Sequence, residues 1–395
     1  MRKLVITCLA IFATAGVALG QGLTIWTTVS DQTLEWLQAE ATTFSNAFGV
    51  PTNVVKLDLG ELKQQALLAA PQGQAGDLFV GVPHDQIAEF ALGGVAADMR
   101  SFATSAYLAD LSEQARNAYA FQGNLVGLPM WVEGPALIVN NDLVDTIPAT
   151  YEELIELAQS LTTDETFGFM FDAGNFYFAY GWINTFGGYV FGSDASGSLI
   201  PDDIGIGTEG AIRGAQAIKD LQYEHGLIPA GTNYDVANGI FIDGALAMIY
   251  NGPWAISQYQ AAGLDVSVHP MPPLADGTPF SGFMGVQGVL LNPFSAQRAD
   301  AANFAKWITR TDAQVSMAQL SGRIPASITA LAQVEGDPFI SGFGEALLDS
   351  EPMPNVPQMS NVWGPGESAL SVILESEGSD VAAAMQRAAS EIRGD

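Results

Sequence analysis

Leu23-Thr24-Ile25-Trp26-Thr27 opens the stretch that decides the fold. β-Branched and aromatic residues following a Gly are the composition of a buried strand. Asp31 to Phe48 comes next, with apolar residues at Leu34, Leu37, Ala41, Phe44 and Phe48, the period of an amphipathic helix, and Gly49 stands where that helix ends. Thr52 to Leu57 reads as a second strand, Glu61 to Ala70 as a second helix, and Asp77 to Gly81 as a third strand. The βαβαβ succession predicts an α/β protein whose sheet is mostly parallel and flanked by helices.

The same reading extends downstream. Thr150-Tyr151-Glu152-Glu153 is a capping box opening a helix that carries Leu154, Leu157 and Leu161. Further helices fit Gly210 to His225, Ala299 to Ile308 and Val381 to Ile392. No internal repeat and no Pro- or Ser-rich linker cuts the chain. Two domains woven together by several crossings fit this better than domains in series.

Upstream, Met1-Arg2-Lys3 and the apolar run Leu4 to Leu19 form a signal peptide, residues 1–20, with cleavage expected between Gly20 and Gln21. The run is too short to span a bilayer comfortably. The single cysteine, Cys8, lies inside it, too early and after Thr7, so no lipid anchor is expected on the mature chain. The 395 residues carry 14 Lys+Arg against 43 Asp+Glu, a net charge of −29, and losing Arg2 and Lys3 takes it to −31. Such an acidic chain excludes nucleic acid and anionic membranes as partners. Apolar residues at 48 % exclude a disordered protein. An exported, soluble monomer is expected.

Several chemistries fall away. Gly205-Ile206-Gly207-Thr208-Glu209-Gly210 matches a dinucleotide fingerprint letter by letter, but Pro201-Asp202-Asp203 precedes it and Asp220 falls within a helix. The expected structure there is a short strand ending at Thr208, which then caps the next helix. His84, His225 and His269 are too scattered for a metal ligand set. No cofactor is expected, and no nucleophile elbow or phosphate loop is present. What remains is a distributed set of carboxylates and tryptophans, seven Trp in all. Trp36 and Trp307 sit at helical apolar spacing and read as core. Trp254 follows Asn251-Gly252-Pro253, and Trp363 precedes Gly364-Pro365-Gly366, so turns present both. Glu133 leaves an apolar strand just before Gly134-Pro135, where a side chain points into a crevice, and its exchange for the isosteric Gln should change the unliganded thermal midpoint little. Sugars stack their C–H faces on aromatic rings and donate hydroxyls to carboxylates.

These residues carry a resemblance. Leu23-Thr24-Ile25-Trp26, Gly76-Asp77-Leu78, His84-Asp85, Leu128-Pro129 through Val132-Glu133, Asn140-Asn141-Asp142-Leu143, and Phe171 through Tyr177-Phe178 to Gly187-Gly188-Tyr189 are similar to segments of the periplasmic maltose/maltodextrin-binding proteins. Phe241, Gly244, Ala247-Met248 and Asn251-Gly252-Pro253-Trp254, then Met353 to Ser360 and Trp363, continue the likeness over nearly the whole mature chain. That family belongs to the extracellular solute-binding proteins that feed sugar ABC importers. The resemblance implies two lobes, 21–133 with 268–323 and 134–267 with 324–395, closing on a sugar delivered to membrane permease subunits. It implies Asp85 and Glu133 as acceptors on the first lobe and Tyr177, Trp254 and Trp363 as an aromatic platform on the second. Ser30 and Asp31, standing for an acidic-basic pair, and Asn175, standing for an acidic residue, complete the ligand set. Where the family has basic residues this chain has Gln86 and Glu367, and Gly364 replaces an aromatic, so Asp85 and Glu133 are expected to lose cationic neighbours. Maltose or a maltodextrin is the implied ligand, with trehalose or sucrose as the alternative. A glycoside hydrolase also sets two carboxylates among aromatics, at a defined separation.

Overall fold

The computed structural model describes residues 22–394. The expected signal peptide and Cys8 lie outside the described residues. Strands and helices follow the periodicity closely at the N-terminal end: β1 (Leu23–Thr27), α1 (Asp31–Phe48), β2 (Thr52–Lys56), α2 (Leu59–Ala69) and β3 (Leu78–Pro83). Gly49 takes φ 70° and ends α1 in the left-handed region, as helix-terminating glycines do. Eight more strands complete two sheets: β4 (Leu128–Glu133), β5 (Ala136–Asn140), β6 (Phe167–Met170), β7 (Leu246–Asn251), β8 (Val266–His269), β9 (Phe283–Leu291), β10 (Ile324–Pro325) and β11 (Glu351–Pro352). Sheet one runs β10-β4-β9-β3-β1-β2 with β11 beside β9, and sheet two runs β8-β5-β7-β6.

The sheets are mixed, not mostly parallel. β1 is parallel to β2 and β3, but β9 is antiparallel to both β3 and β4. In sheet two β7 is parallel to β6, while β5 is antiparallel to β7 and β8. The odd strands are those that carry the chain between sheets. β5 arrives from β4 through Gly134-Pro135 alone, without the helical crossover that parallel neighbours need. Gly134 is required at that crossing: a Cβ there would lie 2.4 Å from the Leu347 side chain and 2.7 Å from the Phe283 carbonyl.

Two expected lobe boundaries fall inside paired strands. Val268 and His269 pair with Ile138 and Leu137 of sheet two, so 267/268 is not a crossing. Ile324 and Pro325 pair with Val132 and Trp131 of sheet one, so the chain is still in that sheet past 323. The boundaries implied by the resemblance are approximate, and strand pairing shifts both by a few residues.

Helices sit on both sheets. α3 (Tyr151–Leu161) has the expected cap: the Glu153 amide donates to Thr150 Oγ1 at 3.2 Å, while the Glu153 carboxylate accepts from the Ala149 amide at 2.8 Å. α4 (Phe176–Thr185) follows β6, and α5 (Glu209–Tyr223) begins after Thr208, whose Oγ1 accepts from the Ala211 amide at 3.4 Å. The strand before it, Leu199–Ile204, ends four residues earlier than expected, because Gly205–Gly207 make a 3₁₀ turn. α6 (Tyr234–Ile242), α7 (Trp363–Glu375) and α8 (Val381–Arg393) complete the elements that matter below. Two hydrophobic cores result, and half-buried Trp254 packs against both.

Candidate functional site

The C-terminal ends of β3 and β4 in one sheet, and of β6 and β7 in the other, converge on a cavity of about 540 Å³. Strand C-termini are where open α/β sheets take their ligands.

One wall comes from sheet one. β3 ends in a 3₁₀ turn, His84–Gln86, with all three residues buried. The His84 ring pins this turn: Nδ1 accepts from the Val286 amide at 3.0 Å, and Nε2–H donates to the Met353 carbonyl at 2.9 Å. Burial pushes the imidazole down to about 4, so it is neutral. Asp85 is thereby held under the cavity. Its own burial raises the carboxyl to about 6, opposed by a very short hydrogen bond from the Gln86 amide, by the Trp363 indole and by the charge of Lys63. Lys63, on α2, donates to Gln86 Oε1 at 2.7 Å and to Glu89 Oε1 at 3.1 Å.

Glu133 ends β4 and is 6 % exposed. Its Oε2 accepts from Arg323 Nε at 2.9 Å and from the Trp131 indole at 3.0 Å, and its Oε1 accepts from the Gln287 amide at 2.9 Å. Arg323 continues to Thr33 Oγ1 at 2.6 Å and lies over the Trp131 ring. Gln86 and Glu367 supply no positive charge here, and the cations of this wall come from elsewhere. Lys63 and Arg323 supply them from distant segments, which is why the residue next to Asp85 need not be basic.

The opposite wall is aromatic. Asn175 caps α4, accepting from the Tyr177 amide at 3.0 Å, and so aims the first turn of that helix at the cavity. The Tyr177 ring lies 6.2 Å from Trp254 and 6.1 Å from Phe283. Trp254 follows the turn after β7. Asn251 Oδ1 accepts from the Gly252 amide at 2.8 Å, and a Cβ on Gly252 would meet the Trp254 ring at 2.2 Å, so this turn demands glycine. Trp363 opens α7 and stands edge-on to Phe176 and Phe283, at 6.2 and 5.9 Å.

Asp85, Glu133, Asn175, Tyr177, Trp254 and Trp363 thus line one cavity. Ser30 and Asp31 do not. Ser30 Oγ donates to Asp31 Oδ2 at 2.9 Å, and the pair borders a narrow adjoining crevice shared with Trp254 and Arg323. Lys63, Tyr234 and Gln287, which sequence reading passed over, also line the cavity, as do Gln86, Phe178 and Met353, which it quoted without assigning them to the ligand set. A lone Lys on a helix starting just after a strand was the available signal for Lys63. Gln287 gave none. Among the described residues no cluster of His, Cys, Asp and Glu could hold a metal ion.

Residues 39–340 match the family described as bacterial extracellular solute-binding protein. This chain belongs to that family. A Thermus thermophilus maltotriose binding protein solved with maltotriose bound superposes at a TM-score of 0.91, with 42 % identity over 94 % of this chain and 99 % of that one. A galactooligosaccharide-binding protein of Bacillus subtilis (strain 168) is 29 % identical over 369 residues, 89 % of this chain and 84 % of its own. A maltotriose-binding protein of Pyrococcus abyssi (strain GE5 / Orsay) is 28 % identical over 341 residues, 84 % of this chain and 73 % of its own. This solute-binding protein is not an enzyme, and it works outside the cytoplasm. Among its described residues no helix is long and apolar enough to cross a membrane.

Proposed function

We propose that this protein captures maltose-series oligosaccharides, centred on maltotriose, between its two lobes and delivers them to the permease subunits of an ABC importer. One observation carries the reading: the rings of Tyr177, Trp254 and Trp363 line a single cavity together with Asp85, Gln86, Glu133 and Gln287, and the Trp363 indole reaches the Asp85 carboxylate. Stacking surface and acceptors in one cavity answer the C–H faces and the hydroxyls of a sugar. The cavity, about 540 Å³, falls in the range of roughly 300–1,000 Å³ for small-molecule sites. Closure is a hinge motion about Gly134-Pro135 and the other crossings, with the lobes divided as the two sheets divide the strands. Release after Gly20 as an unanchored periplasmic monomer completes the proposal.

The test is calorimetry of the exported protein with maltose, maltotriose, trehalose, sucrose and a galactooligosaccharide, repeated on Trp254→Ala. Maltotriose should bind most tightly. The variant should lose at least about fivefold in affinity, equivalent to about 1 kcal/mol of stacking. Tighter binding of any other sugar would replace the maltodextrin assignment, and an unchanged variant would remove Trp254 from the platform.

A further inference from the structure

The polar wall contains one group that the fold leaves without a partner. Glu133 accepts from Arg323, Trp131 and Gln287, so three protein donors already occupy most of its lone pairs. Gln287 commits its NH₂ to Glu133, and that decides which way its amide faces. Flipping the amide would set Gln287 Oε1 against Glu133 Oε1, two acceptors with no proton between them. The orientation is therefore locked.

Gln287 Oε1 has no donor among the described residues. Three side-chain atoms with almost no accessible surface share that condition there, on Tyr107, Gln287 and Asn355; of these residues only Gln287 lines the cavity, and a ligand reaches its Oε1 once a neighbouring side chain moves aside. An enclosed acceptor without a donor costs about 1–3 kcal/mol, and native structures rarely carry one without a reason. Two residues back along β9, on the same face, Gly285 also lines the cavity. A Cβ there would touch Met353 Cε at 3.4 Å and the Glu133 carbonyl at 3.5 Å, so Met353 packs over this stretch of the strand.

We propose that Gln287 is a direct, specificity-determining ligand contact, accepting a hydrogen bond from one hydroxyl of the bound oligosaccharide. Glu133, with Arg323 behind it, holds the amide in the orientation this needs. The inference rests on the saccharide reading above and names a residue that the resemblance did not supply. A site with a committed acceptor takes the ligand that carries a hydroxyl there and rejects the one that lacks it.

The experiment is a coupling measurement by calorimetry, using maltotriose and its monodeoxy analogues against wild type and Gln287→Met. If the screen shows another sugar bound more tightly, the deoxy series is built on that sugar. In wild type, removal of one particular hydroxyl should weaken binding by about tenfold or more. In the variant the same removal should matter less than about threefold, because the partner is already gone. Losses that are equal in wild type and variant at every position overturn the contact. Wild type binding none of the sugars overturns the saccharide reading and the contact with it. Thermal melts without sugar establish that the variant is folded. If it is not, Gln287→Asn, which withdraws the oxygen by one methylene, is measured in its place and should show the same lost coupling.

Discussion

The aromatic wall of the cavity is held by packing, and the polar wall is held by charge. Trp363 rests on Phe176 and Phe283, and Tyr177 packs near both Trp254 and Phe283, so each ring is supported by other rings. Across the cavity, the Glu133 oxygens that would meet a sugar also neutralise a buried guanidinium, and Asp85 is wired through Gln86 to Lys63. Ligand chemistry and fold stability use different atoms on the first wall and the same atoms on the second. That difference can be measured.

The largest effect should come from breaking the Glu133–Arg323 pair. Their side chains are 8 % and 10 % exposed and meet at 2.9 Å. Glu133→Ala leaves Arg323 buried and uncompensated, which typically costs about 3–5 kcal/mol. The expectation from sequence concerned Glu133→Gln, which keeps the shape and one acceptor and should cost the sugar-free fold less than Glu133→Ala. Denaturant unfolding of the sugar-free protein should show the loss for Glu133→Ala and much less of it for Trp254→Ala. Replacing both partners with apolar residues, Glu133→Leu with Arg323→Met, should recover most of it. A Glu133→Ala variant as stable as wild type would mean that the two walls are built alike.

A second prediction separates stability from affinity at one residue. Asp85 has its carboxyl raised from 3.8 to about 6 by burial. The folded chain therefore binds this proton more tightly than the unfolded chain does. The stabilisation it contributes is complete below pH 3.8 and is lost as pH rises through about 6. Sugar hydroxyls favour the ionised form, so affinity should run the other way, falling as pH drops below about 6. The groups facing the carboxyl are Gln86 and Trp363, which do not titrate, and Lys63, whose charge opposes the upward shift. His84 next to it changes charge in the folded chain near 4, below the pH 7 to 5 range of the affinity test. Its lowering from 6.5 makes sugar-free stability fall as pH drops from 6.5 to about 4, against the Asp85 trend. Between pH 7 and pH 5 maltotriose affinity should fall about tenfold, and Asp85→Asn should flatten the profile. A flat wild-type profile would take Asp85 out of the sugar's reach.

How much of this could be read from the sequence follows from the same contrast. The βαβαβ opening was legible because periodicity is local: α1 begins and ends at the expected residues. The Asn251-Gly252-Pro253-Trp254 turn was legible because Asn, Gly and Pro cluster at turns, and here the glycine makes room for the ring that follows it. The polar wall was only half legible. Glu133 and Arg323 are 190 positions apart and Glu133 and Gln287 are 154 apart, and nothing in the residue types says which strands will be neighbours. Strand crossings were not legible for the same reason. β8 alternates like any strand, and its sheet is decided by pairing with β5, more than a hundred residues earlier.

The smallest effect should come from Asp31, and it tests where the polar wall ends. This residue is exposed, sits at φ 50° at the start of α1, and takes a hydrogen bond only from the adjacent Ser30 hydroxyl, at 2.9 Å. It borders the crevice beside Trp254 and Arg323, outside the main cavity. Asn tolerates the left-handed conformation about as well as Asp, so Asp31→Asn removes the charge and leaves the backbone in place. An exposed charge interacts weakly through water, typically by well under about 1 kcal/mol. Maltotriose affinity should accordingly change by less than about twofold at moderate salt, and the sugar-free melt should not move. Calorimetry on the single variant checks this. A loss of tenfold or more would show the sugar reaching past Trp254 into the crevice, and the charged wall would then extend through Arg323 to the first loop.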